Sequence, residues 1–322
     1  MSDLASDCRA LRDGIGYCDV SGRTQIEMTG ADRAKVLHGL CTNDIKRLAR
    51  GDGCEAFLTN VQGKTSGYIN VFCQEASLII DTSPRLAAEI IPTLDRYIIR
   101  EDVTLVDRSN EWGAVLVSGS QTMGLLESQF RGSIPASRIG IAEGTIGDMQ
   151  VQLRRLPLTS SACFMICCDS SQVASLMAWL QKSDAVECGQ DAVDVARIEM
   201  GVPVYGQDVT IDNLPQELAR DTLAISFTKG CYLGQETVAR IDALGHVNRR
   251  LMGLKFTGEA VPPVGSTIVV EGKQLAQITS SCFSPRLNAP LGLAFVRRGS
   301  DKPGTMIESE FGAAEVVALP IE

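Results

Sequence analysis

Two apolar runs, residues 54–60 (CEAFLTN) and 68–73 (YINVFC), are joined by a short polar stretch through Gln62, Gly63 and Lys64. Strands this close in sequence pair antiparallel, because a parallel crossover needs a dozen or more residues. A third run, residues 77–82 (SLIIDT), follows almost at once and stops at Pro84. This spacing excludes a doubly wound parallel sheet for this part of the chain.

Helical patterns are interleaved with these strands. Residues 31–40 place Val36, Leu37 and Leu40 on one face. A second helix is expected from about Pro84 to Ile98, with Pro92 kinking or breaking it. Residues 23–29, 102–107, 112–118, 151–156 and 163–169 read as strands, and 121–130 as a helix. The stretch from Gly132 to Gly147 reads as a glycine-rich connection. Residues 171–181 carry Val173, Leu176, Met177 and Leu180 at helical spacing, and 191–200 form another helix. Together these predict an α+β fold with antiparallel or mixed sheets. After about residue 250 the helical patterns stop. Short apolar runs recur between Pro262-Pro263, Gly272, Pro285, Pro290 and Pro303-Gly304. That predicts a small C-terminal β-barrel or sandwich of five or six strands, and a boundary near Asn248. The expected units are residues 1–248 and 249–322.

Charge and cysteine usage narrow the function classes. The net charge is −9, so a nucleic-acid backbone or an anionic bilayer is repelled. No direct nucleic-acid or membrane partner is expected. Residues 1–14 have no signal-type apolar stretch and are too acidic for a transit peptide, so the expected location is cytoplasmic. The eleven cysteines include no Cys-x-x-Cys, and only His38 and His246 are available beside them, so no metal site is expected. Cys163, Cys167 and Cys168 lie in an apolar run and read as small core residues.

One stretch, residues 196–250, has more polar chemistry than a core needs. It holds Lys229-Gly230-Cys231-Tyr232-Leu233-Gly234-Gln235-Glu236. A thiol near a lysine and a helix start has its thiolate favoured by both. Cys231 is therefore the candidate reactive thiol and Lys229 its activator, with Gly230 and Gly234 allowing close backbone approach. Glu199 lies near the end of a predicted helix, either solvated or turned to a polar partner. From Arg220 to Arg250 there are five basic and three acidic residues, a locally positive stretch suited to a small anion.

The segment KGCYLGQETVAR, preceded by RIEMGVPVYGQD and followed by GHVNRRL, resembles the signature region of the YgfZ family of folate-binding proteins. These are similar to the aminomethyltransferase (T-protein) of the glycine cleavage system. MTGADRAKVLHGLCTNDI, LTNVQGK and WGAVLVSGSQ look like further segments of the same family. The resemblance implies two intertwined ferredoxin-like subdomains and a C-terminal barrel around a central hole that holds tetrahydrofolate or a derivative. It implies Glu199 as the pterin anchor, since a carboxylate accepts from the pterin amino group and ring N–H. It places Lys229, Gly230 and Cys231 at a folate-facing loop, Tyr232 at the pterin pocket or in the core, and Arg240 on the following helix. The implied cellular role is assembly or repair of iron–sulfur client proteins, with an indirect effect on tRNA modification.

One departure bears on chemistry. The aminomethyltransferases carry an acidic pair in the strand after the second segment's glycine, and residues 63–69 here have no acid at Gly67-Tyr68. That disfavours a working aminomethyltransferase. Three readings stay open: a folate-binding accessory protein with a reactive Cys231, a folate-dependent one-carbon transferase, and a scaffold with a vestigial folate site.

Overall fold

The hairpin anticipated from residues 54–73 is the first pair of a five-stranded sheet, in a computed structural model that describes residues 3–160 and 162–321. In chain order the elements begin α1 (Leu4–Asp13), β1 (Gly16–Asp19), β2 (Thr24–Thr29), α2 (Arg33–Leu40), β3 (Gly53–Thr59), β4 (Thr65–Cys73), β5 (Ser77–Thr82), α3 (Ala87–Asp95) and β6 (Thr104–Asp107). Next come β7 (Trp112–Ser118), α4 (Thr122–Gln129), β8 (Phe130–Arg131), β9 (Gly140–Ile146), β10 (Met149–Arg155) and β11 (Cys163–Asp169). They are followed by α5 (Val173–Lys182), β12 (Val186–Glu187), α6 (Gln190–Glu199), α7 (Asp221–Ala224) and α8 (Gln235–Leu244). The C-terminal unit is all strand: β13 (Arg249–Phe256), β14 (Thr267–Val270), β15 (Lys273–Ser284), β16 (Ala289–Arg297), β17 (Met306–Ile307) and β18 (Ala314–Val317).

The five-stranded sheet has the order β3-β4-β5-β2-β6, and a seven-stranded sheet has the order β12-β1-β7-β11-β10-β9-β8. The chain enters the second sheet with β1, crosses to the first for β2 to β6, and returns with β7. The two halves are thus intertwined. Period-two alternation gives each strand two destinies. Ile26, Ile69, Val71 and Ile80 pack under α2 and α3. Phe72 and Ile79 point the other way and meet Ala114, Met165 and Cys167 of the seven-stranded sheet. On that sheet's outer face Tyr17, Val115, Val117, Phe164 and Ile166 pack with Leu176 and Leu180 of α5.

The C-terminal unit is a curled six-stranded sheet of order β14-β15-β16-β13-β18-β17, closed around Leu254, Phe256, Ile278 and Val296. A register shift at Ile278–Ser280 of the 12-residue β15 bends it, as a bulge does. Where a glycine-rich connection was expected, β9 instead pairs along its whole length with β10. Its glycines are needed for packing: a Cβ at Gly144 would overlap the Phe130 ring. The expected 84–98 helix is shorter, Ala87–Asp95, with Pro92 inside it. The elements α1 and β1 had no counterpart in the sequence reading.

The cysteine pattern follows from this packing. Cys18, Cys41, Cys163, Cys167, Cys168 and Cys188 are buried, all eleven thiols are free, and Cys231 alone is exposed.

Lys229 also has a structural task. Helix α2 ends at Cys41 in an extended conformation, which leaves its last carbonyls without partners. The Lys229 ammonium, buried against them, donates to the carbonyls of His38 (2.5 Å), Cys41 (2.7 Å) and Asn43 (2.9 Å). It also lies 4.7 Å from the Tyr232 ring centre. Replacing Lys229 by alanine removes the donor shared by three buried acceptors, so we expect a loss of about 3 kcal/mol of stability in urea unfolding. Arg240→Ala, on the exposed face of α8, should change it by less than about 0.5 kcal/mol.

Candidate functional site: a three-compartment cavity between the sheets and the barrel

Cross-strand register assembles a polar row that no linear motif shows. Glu55 on β3 pairs with Asn70 on β4, Asn70 with Asp81 on β5, and Asp81 with Gln25 on β2. Paired residues share a face, so all four point toward the second sheet. Glu55, Asn70, Asp81 and Gln25 are each at most 5% exposed. Arg23 forks onto Asp81, and the fully buried Arg154 of β10 donates to Gln25 (2.8 Å).

Glu55 is the most heavily bonded of these groups. Arg220 donates from Nε to Oε2 (2.6 Å) and from Nη2 to Oε1 (2.8 Å). The Tyr68 hydroxyl donates to Oε2 (2.6 Å) and Arg138 Nη1 to Oε1 (2.5 Å). Burial alone would raise this carboxyl, but the two guanidinium groups and the phenol outweigh it and hold it down to about 2. Burial pushes the Tyr68 phenol far up, opposed by the Arg220 charge and reinforced by the same carboxylate.

Three contiguous compartments open around this pair. An inner cavity of about 530 Å³ is lined by Glu55, Tyr68, Asn70, Arg23, Arg197 and Arg220, with Leu116, Leu156 and Val193 as apolar walls. An outer cavity of about 750 Å³ shares Pro157, Val202 and Arg220 with it. The outer cavity adds Arg138, Arg155 and Arg250 against the acid Asp301. A third cleft of about 340 Å³ shares Met200 and Pro320 with the outer one and holds Glu199, Cys8, Arg12 and Arg286. These volumes are in the range of small-molecule sites.

Helix α6 serves two compartments at once. Gln190, Val193, Asp194 and Arg197 repeat at i, i+3, i+4 and i+7 and face the inner cavity. Val195, Ala196 and Glu199 occupy the adjoining face and line the third cleft. Glu199 accepts from Ser284 Oγ of the barrel (2.5 Å). Arg197 is anchored by Asp194 (2.8 Å) and Asp208 (3.1 Å).

The signature motif is divided by the fold. Lys229, Gly230, Cys231, Tyr232 and Arg240 line none of the three compartments. Lys229 points at the carbonyls of His38, Cys41 and Asn43, which engage its ammonium. Tyr232 is in the core with Phe57, Tyr68 and Leu251. Arg240 is exposed on α8. Gly234 has φ +79°, and a Cβ there would strike the backbone of the β3–β4 turn. Its need for glycine is hairpin packing, not ligand approach. Glu199 stays on the cavity, and the positive stretch contributes Arg220 and Arg250 to it. The sequence reading missed Glu55, Tyr68, Arg138 and Arg155. Only Glu55 had a usable signal, as one acid inside an apolar strand.

Because its folded carboxyl lies below the ordinary 4.5, Glu55 adds stability that is present above that value and is lost as the pH falls toward 2. Urea midpoints measured from pH 6 to pH 2 should record a loss on the order of 3 kcal/mol from this group. Glu55→Gln should flatten that part of the profile, while costing about 3–5 kcal/mol at pH 7 by leaving Arg220 buried without its charge partner.

Residues 1–229 match the GCVT N-terminal domain family, and residues 249–321 match the glycine cleavage T-protein C-terminal barrel domain. The aminomethyltransferase of Rippkaea orientalis is 26% identical across all of this chain and 89% of its own length. That of Nostoc sp. is 27% identical across all of this chain and 87% of its own. A putative chloroplastic transferase of Arabidopsis thaliana is 25% identical over 92% of this chain and 69% of its own. The crystal structure of the glycine cleavage system aminomethyltransferase T from Bartonella henselae superposes with a TM-score of 0.85, covering 99% of this chain and 89% of that one at 19% identity. With both of its domains matched in order, the chain belongs to the glycine cleavage T-protein family.

Proposed function

We propose that this protein binds a reduced folate, tetrahydrofolate or a derivative, in the three-compartment cavity and does not turn it over as an aminomethyltransferase. The observation that carries the second half is the state of Glu55. The strand position where the resemblance expects an acid holds Tyr68, and the acid supplied by the neighbouring strand already accepts from four donors. A carboxylate so engaged has no lone pair left to position a folate nitrogen during one-carbon transfer.

The donor set suits the ligand. Glu199 keeps acceptor capacity beyond its one hydroxyl partner, which fits the amino and ring N–H groups of a pterin. Arg138, Arg155 and Arg250 give the outer cavity the charge to receive the carboxylates of the tail. Leu, Val, Met and Pro side chains supply apolar walls for the rings. The accessory role in iron–sulfur protein assembly, with its indirect effect on tRNA modification, rests on the resemblance of the Lys229–Glu236 motif to the YgfZ family. A second reading, the aminomethyltransferase itself, is favoured by the names of the relatives matched along the whole chain.

Calorimetric titration with tetrahydrofolate should give saturable binding to the full chain. Glu199→Gln should weaken it by roughly 10- to 100-fold, the worth of a hydrogen bond to a charged group. Methylene-tetrahydrofolate production from an aminomethyl donor should stay at background, and turnover above background establishes the transferase reading instead. In a strain lacking the protein, the wild-type gene should restore iron–sulfur enzyme activity and Cys231→Ala should not. Full rescue by that variant removes Cys231 from the mechanism.

A further inference from the structure

The barrel carries a polar cleft of its own, of about 800 Å³, that shares no lining residue with the three compartments. Its floor is formed by β13, β15 and β16. Arg249 on β13 is registered directly opposite Arg297 on β16, so the two side chains leave the same face next to each other. Like charges in that position destabilise a sheet. Arg249 is compensated: it meets the buried Glu217 at 3.3 Å and lies 4.6 Å from the Phe295 ring centre. Arg297 and the adjacent Arg298 are exposed, and neither guanidinium has a hydrogen-bond or ion-pair partner among the described residues.

The wall of the cleft is fixed. Lys64, at the β3–β4 turn, donates to the Asp212 carbonyl. Asn213 accepts from the Thr210 N–H (2.8 Å) and donates to Glu217 Oε2 (3.0 Å). Glu217 is thereby engaged at both oxygens, by Asn213 and Arg249. The lining thus sets four cations, Lys64, Arg249, Arg297 and Arg298, against two acids, Asp212 and Glu217. That is a local excess of two positive charges in a chain of net charge −9. Gln274 and Gln277 of β15 add neutral donors.

We infer that this cleft binds the diphosphate group of a small phosphorylated molecule. Such a group carries on the order of two to three negative charges near pH 7, which matches the local excess. The paired arginines stand about 5 Å apart at the backbone, so each fork can take oxygens of one of two neighbouring phosphoryl groups. An oxyanion held between them replaces their mutual repulsion by attraction to a shared counter-charge. The negative charge of the whole chain repels a long polyanion, so a ligand small enough to lie within the cleft is favoured over nucleic acid.

Calorimetric titration of the full chain with inorganic pyrophosphate, in phosphate-free buffer at about 50 mM salt, tests this. We expect saturable one-site binding with a Kd below about 1 mM. Arg297→Gln should weaken it about tenfold, the loss of a charge-assisted hydrogen bond. Because Arg297 has no partner within the protein, the variant should unfold in urea at the wild-type midpoint or above it. Arg100→Gln, at an exposed arginine beyond α3, should leave the titration unchanged. Absence of saturable binding overturns the inference. So does binding that Arg297→Gln leaves intact, since the anion then sits elsewhere, as among the arginines of the outer cavity. Glutarate, with two carboxylates, should bind at least about tenfold more weakly than pyrophosphate. Equal or tighter binding of glutarate overturns the assignment of a diphosphate, and tighter binding of a hexaglutamate peptide overturns it in favour of an acidic protein segment.

Discussion

The pairing of Glu55 with Arg220 is the constraint on which the rest of the site depends. It joins β3 to the segment leading into α7, at the neck shared by the inner and outer cavities. Taking two charges out of water is costly, and the cost is offset only when geometry is good and the remaining lone pairs are used. Both conditions hold here. The fork is bidentate, and Tyr68 and Arg138 complete the carboxylate. The Arg220 guanidinium also faces the Tyr68 ring. A neck built this way is rigid, so a ligand finds walls already in place.

The same saturation decides what the cavity can do. A carboxylate that is to assist transfer must exchange partners or protons during the reaction. Glu55 does neither readily, because its charge is stabilised by two guanidinium groups and a phenol, of which Arg220 and Tyr68 are buried in the cavity wall. The acid that retains capacity, Glu199, sits in another compartment on the adjoining face of α6. One helix thus separates a saturated acid from an available one. The division favours holding a ligand over transforming it.

Much of the architecture was legible because it is local. The 54–73 hairpin, the apolar stripe of α2 and the Gly/Pro punctuation after residue 250 are short-range signals. Each became the element its period implies. The misses share a cause. The strand β9 was hidden because Gly140, Gly144 and Gly147 read as flexible, whereas Gly144 is small to admit Phe130. The row Glu55–Asn70–Asp81–Gln25 depends on the register of four strands, and Arg154 of β10 and Arg138 of the segment before β9 reach it from the side of the other sheet. No spacing along the chain encodes that meeting. The motif Lys229–Glu236 was conspicuous in sequence, yet its residues scatter among a helix cap, the core, a hairpin contact and the surface. Proximity in sequence revealed that the segment is unusual and misassigned what each residue does.

That scatter explains why ligand cavity and thiol are not one centre. The 226–233 segment is held by backbone bonds from Ser226 to Thr42 and from Leu233 to Gly39. Both ties are to α2 and the residues after it, which pair along β3 at the edge of the five-stranded sheet. Cys231 therefore rides at that edge, outside the compartments that Glu55, Tyr68 and Arg220 line. Packing connects the two. Tyr68 bonds Glu55 at the cavity and packs with Phe57, while Tyr232, beside Cys231 in sequence, belongs to the same cluster and carries the Lys229 ammonium over its ring. A ligand that displaced Tyr68 would press on the packing that fixes the thiol's turn, linking an occupied cavity to a surface group it never touches.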